Sequence, residues 1–163
     1  MDEARELINQ TFGNKLRVRV CGICIENDQI LLVKHKHLGK TGTLWAPPGG
    51  GMEYGESAHE ALCREFLEET NFYIEVEEFL FVHEYLDPPL HGIELFFLVK
   101  ISGGKLTKGS DPEIPLTDQI LTEAKFVDLK SMQSSDNESL HYVLQKSKDL
   151  KTLINQKGYF KFH

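Results

Sequence analysis

Residues 50–72 read GGMEYGESAHEALCREFLEETNF, and the middle of this run constrains the chain more than any other part of it. From 57 to 70 it is strongly helix-forming. At ~100° per residue, Glu65 and Glu69 fall in the same arc as Ala58, Ala61, Leu62 and Phe66, with Glu68 at the edge. An amphipathic helix ordinarily keeps carboxylates off its apolar stripe. The other reading of such a charge run, a solvated helix face, needs the acids opposite the stripe. Two carboxylates ~5 Å apart repel by ~3 kcal/mol at an effective dielectric of 20. A fold that packs this helix must therefore compensate them. Hard divalent cations do so by taking carboxylate and phosphate oxygens together. Arg64 is placed to orient one of the acids.

Composition narrows the partners. The formal net charge is -7, and residues 50–72 supply six acids (Glu53, Glu56, Glu60, Glu65, Glu68, Glu69) against one arginine, a local -5. A chain this acidic does not grasp a long nucleic acid through its phosphates. With 163 residues, 40% of them hydrophobic, one domain over 1–163 is expected. The opening MDEARELINQ lacks the basic and apolar pattern of a signal peptide, and the apolar run 95–99 is too short for a bilayer. With only three cysteines, no membrane association and a cytoplasmic location are expected. Cys21 and Cys24 form a CxxC inside a strand-like stretch, where residues three apart face opposite sides, so buried thiols are expected rather than a metal or redox pair.

The periodicity predicts a helix over 2–12, strands over 16–25 and 29–35 with a turn at 26–28, and a polar loop leading to Trp45 and Gly49-Gly50-Gly51. After the helix over 57–70 come apolar runs at 73–86 and 93–101, separated by Asp87-Pro88-Pro89, and a strand over 121–129. Ser135-x-x-Glu138 has the form of a capping box and predicts a last helix from there to about residue 153. The order of elements favours an α/β fold with a mixed sheet covered by helices. Gly39-Lys40-Thr41 is not a P-loop, because the earlier glycine would fall at Lys34.

Gly50, Glu56, Arg64-Glu65-Phe66-Leu67-Glu68-Glu69, Asn71 and Phe72 resemble the Nudix box, Gly-x5-Glu-x7-Arg-Glu-U-x-Glu-Glu-x-Gly-U, with U a bulky apolar residue. Asn71 replaces the second glycine; it ends the helix, where Asn is the next-best residue for left-handed backbone. The approach Trp45-Ala46-Pro47-Pro48-Gly49-Gly50 also fits.

The resemblance implies a Nudix-like α/β/α sandwich carrying a loop-helix-loop box. It implies Mg²⁺- or Mn²⁺-dependent hydrolysis of a nucleoside diphosphate linked to another group. By position, Glu65, Glu68 and Glu69 become metal-binding carboxylates, joined by the backbone carbonyl of Gly49 or Gly50, and Glu56 orders the site through Arg64. The catalytic base differs across the family; among Asp111, Glu113 and Asp118 in the loop 109–119, Glu113 is the sequence candidate. Lys34, Lys36 and their neighbours His35 and Lys40 are candidates for phosphate contact. Trp45, Tyr54 and Tyr85 are candidates for base stacking, with core packing as the alternative. Pro88, 16 positions beyond Phe72, resembles a mark of ADP-ribose pyrophosphatases and tilts the substrate towards ADP-ribose or a nucleotide sugar. MutT-like hydrolysis of nucleoside triphosphates and a non-catalytic ligand-sensing module are the alternatives. A homodimer is compatible with the resemblance.

Overall fold

The computed structural model describes residues 3–112, 114–115 and 118–162. Asp2, the first residue of the expected N-terminal helix, lies outside them. The elements in order are α1 (Glu3–Phe12), β1 (Lys15–Glu26), β2 (Gln29–Lys36), β3 (Thr43–Ala46), β4 (Gly49–Gly51), α2 (Ala58–Thr70), β5 (Phe72–Asp87) and β6 (Leu90–Gly104). They are followed by β7 (Leu121–Val127), α3 (Leu129–Asp136), α4 (Tyr142–Lys146), α5 (Leu150–Asn155) and β8 (Gly158–Phe160).

The sheet runs β3-β2-β1-β6-β5-β8, with β4 added to β1 and β7 to β2. It is mixed. β1 pairs in parallel with β6 from Lys15 to Cys24, then turns to meet β2 antiparallel at Ile25 and Glu26. β1 also alternates between two cores. Val20 and Cys24 pack with Ala61, Leu62 and Phe66 under α2, whereas Cys21 and Ile23 pack with Leu129, Val143 and Leu144 beneath the C-terminal helices. Helices thus cover both faces in an α/β/α arrangement. Cys21 and Cys24 are free and lie in opposite cores, as the strand period requires.

α2 lies close on β1. A β-carbon on Gly22 would sit 2.4 Å from the Phe66 ring, so glycine there is what lets the helix approach the sheet. Full burial of Phe66 contributes roughly 2–3 kcal/mol relative to leaving it exposed. The helix starts at Ser57, whose hydroxyl accepts from Glu60 N–H while the Glu60 carboxylate accepts from Ser57 N–H. Glu60 is therefore spent on the cap. At the far end Asn71 adopts φ 62°, the left-handed conformation expected of it. The loop after β6 closes over this last turn: Thr107, Gly109 and Ser110 N–H donate to the carbonyls of Thr70, Glu69 and Glu68.

The C-terminal region departs from its reading. A single helix from Ser135 to residue 153 does not form. α3 begins earlier, capped by Asp128, and Ser135 lies inside it with its hydroxyl donating to Ser131 C=O. The chain is extended at Leu140, which bridges to Trp45, and His141 N–H donates to Trp45 C=O. This pairing interrupts any helix, and a new one starts at α4. The loop before the glycines likewise contains β3, and Gly49–Gly51 is itself a strand on β1.

Candidate active site

The site is assembled by β4 crossing under the C-terminal half of α2, where it meets Arg64, Glu65 and Glu69. Gly22 N–H donates to Pro48 C=O and Met52 N–H to Val18 C=O, so Val20 and Gly50 form a hydrogen-bonded pair of the β1–β4 ladder. The backbone of Gly49 and Gly51 then points away from β1, towards α2. Gly49 N–H donates to Glu69 Oε2 at 2.9 Å, and Gly51 C=O accepts from Arg64 at 3.1 Å. Of the two carbonyls proposed from sequence, that of Gly50 is committed to the ladder, whereas that of Gly49 faces off it.

Arg64 is the hub of this corner. It grips Glu56 with two hydrogen bonds of 2.7 and 3.1 Å, and its remaining face reaches Glu65 at 2.9 Å and Glu68 at 3.3 Å. Planar, bidentate pairing of this kind fixes both partners. The hydrogen bond from Arg64 holds the Glu56 carboxyl below its ordinary range. Arg64 is a positioning residue and Glu56 its anchor.

The three remaining acids stand differently. Burial, then repulsion from Glu69, pushes the Glu65 carboxyl up to about 8 despite Arg64. Burial likewise raises Glu68, with Asp111 and Glu53 adding repulsion. Glu69 is buried, and its Oε1 lies 3.7 Å from His35 Nε2. Three carboxylates converge here, Glu65 held against the backbone of Gly50, and among the described residues Arg64 is the arginine that pairs with them directly. The chemistry of the set fits a divalent cation.

These acids line one wall of a cleft. Its floor is β1 and β6, contributing Arg17, Arg19, Cys21 and Glu94; its far end holds Tyr85 and His141, and α1 adds Ile8 and Phe12 to the rim. Glu65, Glu68, Glu69, Arg64, Gly49 and Gly50 come together here, and Tyr85 lines the same cleft. Asp111 also lines the cleft, whereas Glu113 lies outside the described residues. Lys34, Lys36 and Trp45 do not line it. Lys34 pairs with Glu123 at 3.1 Å, Trp45 is buried beneath the ammonium groups of Lys34 and Lys125, and Lys36 is exposed at the end of β2.

Several cleft residues were not singled out from the sequence. Arg17 and Arg19 alternate with Val18 and Val20 on β1, and that Arg-x-Arg alternation on an inner strand was the available signal. Arg17 stacks 4.2 Å over the Phe12 ring. Arg19 Nε and His35 Nδ1 are buried without a hydrogen-bond partner among the described residues. Glu94, His83 and His141 form a buried cluster whose ligand atoms lie within 4.8 Å of one another. They come from β5, β6 and the start of α4, and nothing local in the sequence joins them.

Helix-borne carboxylates over a glycine strand, in a mixed sheet with helices on both faces, are the layout that the Nudix resemblance implies. The family model described as NUDIX domain matches residues 15–146, and the chain belongs to that family. It is 36% identical over 117 residues to an ADP-ribose pyrophosphatase of Methanocaldococcus jannaschii, covering 71% of this chain and 63% of that protein. It is 35% identical over 106 residues to the Homo sapiens 8-oxo-dGDP phosphatase NUDT18, covering 61% of this chain and 32% of that one. The chain thus spans less than two thirds of the length of these relatives. Among solved structures, a NUDIX hydrolase from Nitrosomonas europaea superposes with a TM-score of 0.63 at 20% identity, over 76% of this chain and 80% of that one. An ADP-ribose pyrophosphatase from Streptococcus suis gives 0.60 at 18% identity, over 88% and 98%. At such identities these likenesses speak for the fold alone. No helix among the described residues is long and apolar enough to cross a membrane.

Proposed function

We propose that this chain is a divalent-metal-dependent pyrophosphohydrolase acting on a nucleoside diphosphate linked to another group, with ADP-ribose and nucleotide sugars as the first candidates. The observation that carries the reading is the pairing of Glu65 and Glu69 beside the backbone of Gly49 and Gly50, in a cleft whose floor presents Arg17 and Arg19. Glu65, Glu68, Glu69 and the Gly49 carbonyl would hold Mg²⁺ or Mn²⁺. The bound ion would supply charge neutralisation at the phosphoryl oxygens and a more acidic water.

The chain's own residues do the rest. Arg64 and Glu56 keep the carboxylates in place. Arg17 and Arg19 face the pyrophosphate and stabilise charge as it develops on its oxygens. Water attacks phosphorus, the bridging P–O bond breaks, and each half leaves with one phosphate. An acid of the 109–119 loop accepts the water proton; placement in the cleft supports Asp111, while Glu113, the sequence candidate, shares that loop. In this reading residues 1–163 act as one domain on a small nucleotide in the cytoplasm.

The similarity to an 8-oxo-dGDP phosphatase supports a second reading, hydrolysis of a nucleoside di- or triphosphate. Retention of every box carboxylate disfavours a purely ligand-sensing module. Phosphate and nucleotide products should be followed across a panel of ADP-ribose, nucleotide sugars and nucleoside triphosphates with Mg²⁺ and Mn²⁺ at mildly alkaline pH. Cleavage of none of them removes the enzymatic reading.

A further inference from the structure

The cleft has a second charged end that hydrolysis does not use. Glu94, on β6, is 1% exposed and still reaches the cleft floor. Its Oε1 receives two imidazoles at once, His83 Nδ1 at 3.0 Å and His141 Nε2 at 2.7 Å. The opposite nitrogens of both rings accept backbone N–H groups: Val143 donates to His141 Nδ1 at 3.2 Å and Phe162 to His83 Nε2 at 3.4 Å. That assigns the ring protons to the nitrogens facing Glu94. Ligating histidines usually show the reverse, donating their outer nitrogen and offering the inner lone pair. The cluster is therefore a clamp on a carboxylate rather than a metal site.

The two oxygens of Glu94 are unequally served. Oε1 is saturated by the imidazoles. Among the described residues, Oε2 meets the Cys21 thiol at 3.8 Å and Arg19 in a long ion pair at 3.9 Å. Burial alone would raise this carboxyl, but His141, His83 and Arg19 together hold it well below the ordinary range, so it is an anion at neutral pH. A buried anion repels phosphate. It accepts hydrogen bonds from donors and leaves part of its capacity open on the cleft side. Arg19 stands between Glu94 and the box acids Glu65 and Glu69; with the phosphates on its box side, the side facing Glu94 receives the uncharged, donor-bearing part of the ligand.

Resting on the pyrophosphohydrolase reading for the orientation of the ligand, we infer that Glu94 recognises the nucleoside end of the substrate, its Oε2 accepting a hydrogen bond from an N–H of the base or an O–H of the ribose. Tyr85, beside His141 at 5.7 Å between ring centroids, supplies an aromatic wall at the same end. The histidine clamp fixes the carboxylate's rotamer, so recognition does not depend on ordering it anew.

Glu94→Gln tests this, because the amide keeps an oxygen for the histidines and replaces Oε2 by a donor. Calorimetric titration in EDTA with AMP and with GMP needs no turnover. The tighter ligand should bind the variant about tenfold or more weakly, the worth of a charge-assisted hydrogen bond. In turnover the loss should appear in KM, with kcat little changed. Two modified ligands separate the sources of the donor: a base-N-methylated monophosphate and a 2′,3′-dideoxy monophosphate. One of them should bind wild type weakly and be indifferent to the substitution. These two ligands on wild type alone keep the test decisive if the variant does not fold. Equal binding of both monophosphates by variant and wild type overturns the inference, as does an equal loss for intact and modified ligands. Glu94-dependent binding without hydrolysis would overturn the enzymatic reading and leave this one standing; hydrolysis indifferent to Glu94 would do the opposite.

Discussion

The carboxylate of Glu65 occupies the space of the side chain that Gly50 lacks. A β-carbon built on Gly50 would lie 2.4 Å from Glu65 Oε1 and 2.5 Å from its carboxyl carbon. The first glycine of the box is thus required for room, since its neighbour on the ladder, Val20, is already fixed by pairing.

Gly50→Ala should therefore displace Glu65 while leaving the sheet paired. Activity should fall by about a hundredfold, as for a misplacement of ~1 Å at reacting groups. Mn²⁺ affinity should weaken in parallel, with the far-ultraviolet dichroism unchanged. Wild-type metal affinity in that variant would show that Glu65 is not a ligand.

How much of this was visible beforehand follows from the range of the interactions. α2, its Ser57 start and its Asn71 end are local matters of period and capping, and they read correctly from the chain. So did the facing of Cys21 and Cys24, which depends only on the strand period. The clamp on Glu94 joins residues 83, 94 and 141, and no local pattern carries such a contact. The supposed C-terminal helix failed for the same reason: Ser135-x-x-Glu138 is a fair capping signal locally, but the pairing of Leu140 and His141 with Trp45 overrides it. Lys34 and Trp45 carry chemistry that suits phosphate and base, whereas strand pairing of β2 with β3 and β7 sets them beside Glu123 and Lys125.

Metal binding should depend on pH through Glu65. Its carboxyl is pushed up to about 8 by burial and by Glu69, so the metal-free protein holds a proton that an incoming cation must displace. Affinity for Mn²⁺ should rise by up to about tenfold per pH unit below that value and level off above it. The unfolded chain releases the same proton near the model-peptide value, so metal-free stability should decline as pH rises from about 4.5 to about 8. Glu65→Gln should flatten both trends in calorimetry and thermal melts; retention of either slope would place the titrating group elsewhere.

Glu69→Gln keeps the shape and an oxygen for Gly49 N–H, but removes a charge from the wall of the cleft. Turnover should drop by orders of magnitude with the melting temperature preserved. Near-normal turnover would exclude Glu69 from the metal-binding set.

Asn71→Gly should be nearly neutral. Glycine adopts φ 62° without strain, which offsets the loss of the exposed hydrogen bond from Asn71 Nδ2 to Lys105 C=O. Stability should change by no more than ~1 kcal/mol in denaturant melts, and activity should be unaltered. A marked fall in activity at unchanged stability would give Asn71 a part in the site beyond ending the helix.

Arg64→Lys retains the charge and loses the geometry. Arg64 spans Glu56, Glu65, Glu68 and Gly51 C=O with a rigid fork, and an ammonium offers one point from which those four cannot be reached together. The helix and its cap do not depend on this contact, so the fold should persist. The carboxylates would lose their fixed positions, lowering kcat by about ten- to a hundredfold and weakening Mn²⁺ binding, with KM for the nucleotide much less affected. Because Glu56 has Arg64 as its cationic partner at this corner, Glu56→Gln in the Arg64→Lys background should add little further loss. Full additivity of the two substitutions would mean that Glu56 acts on the site by some route other than Arg64.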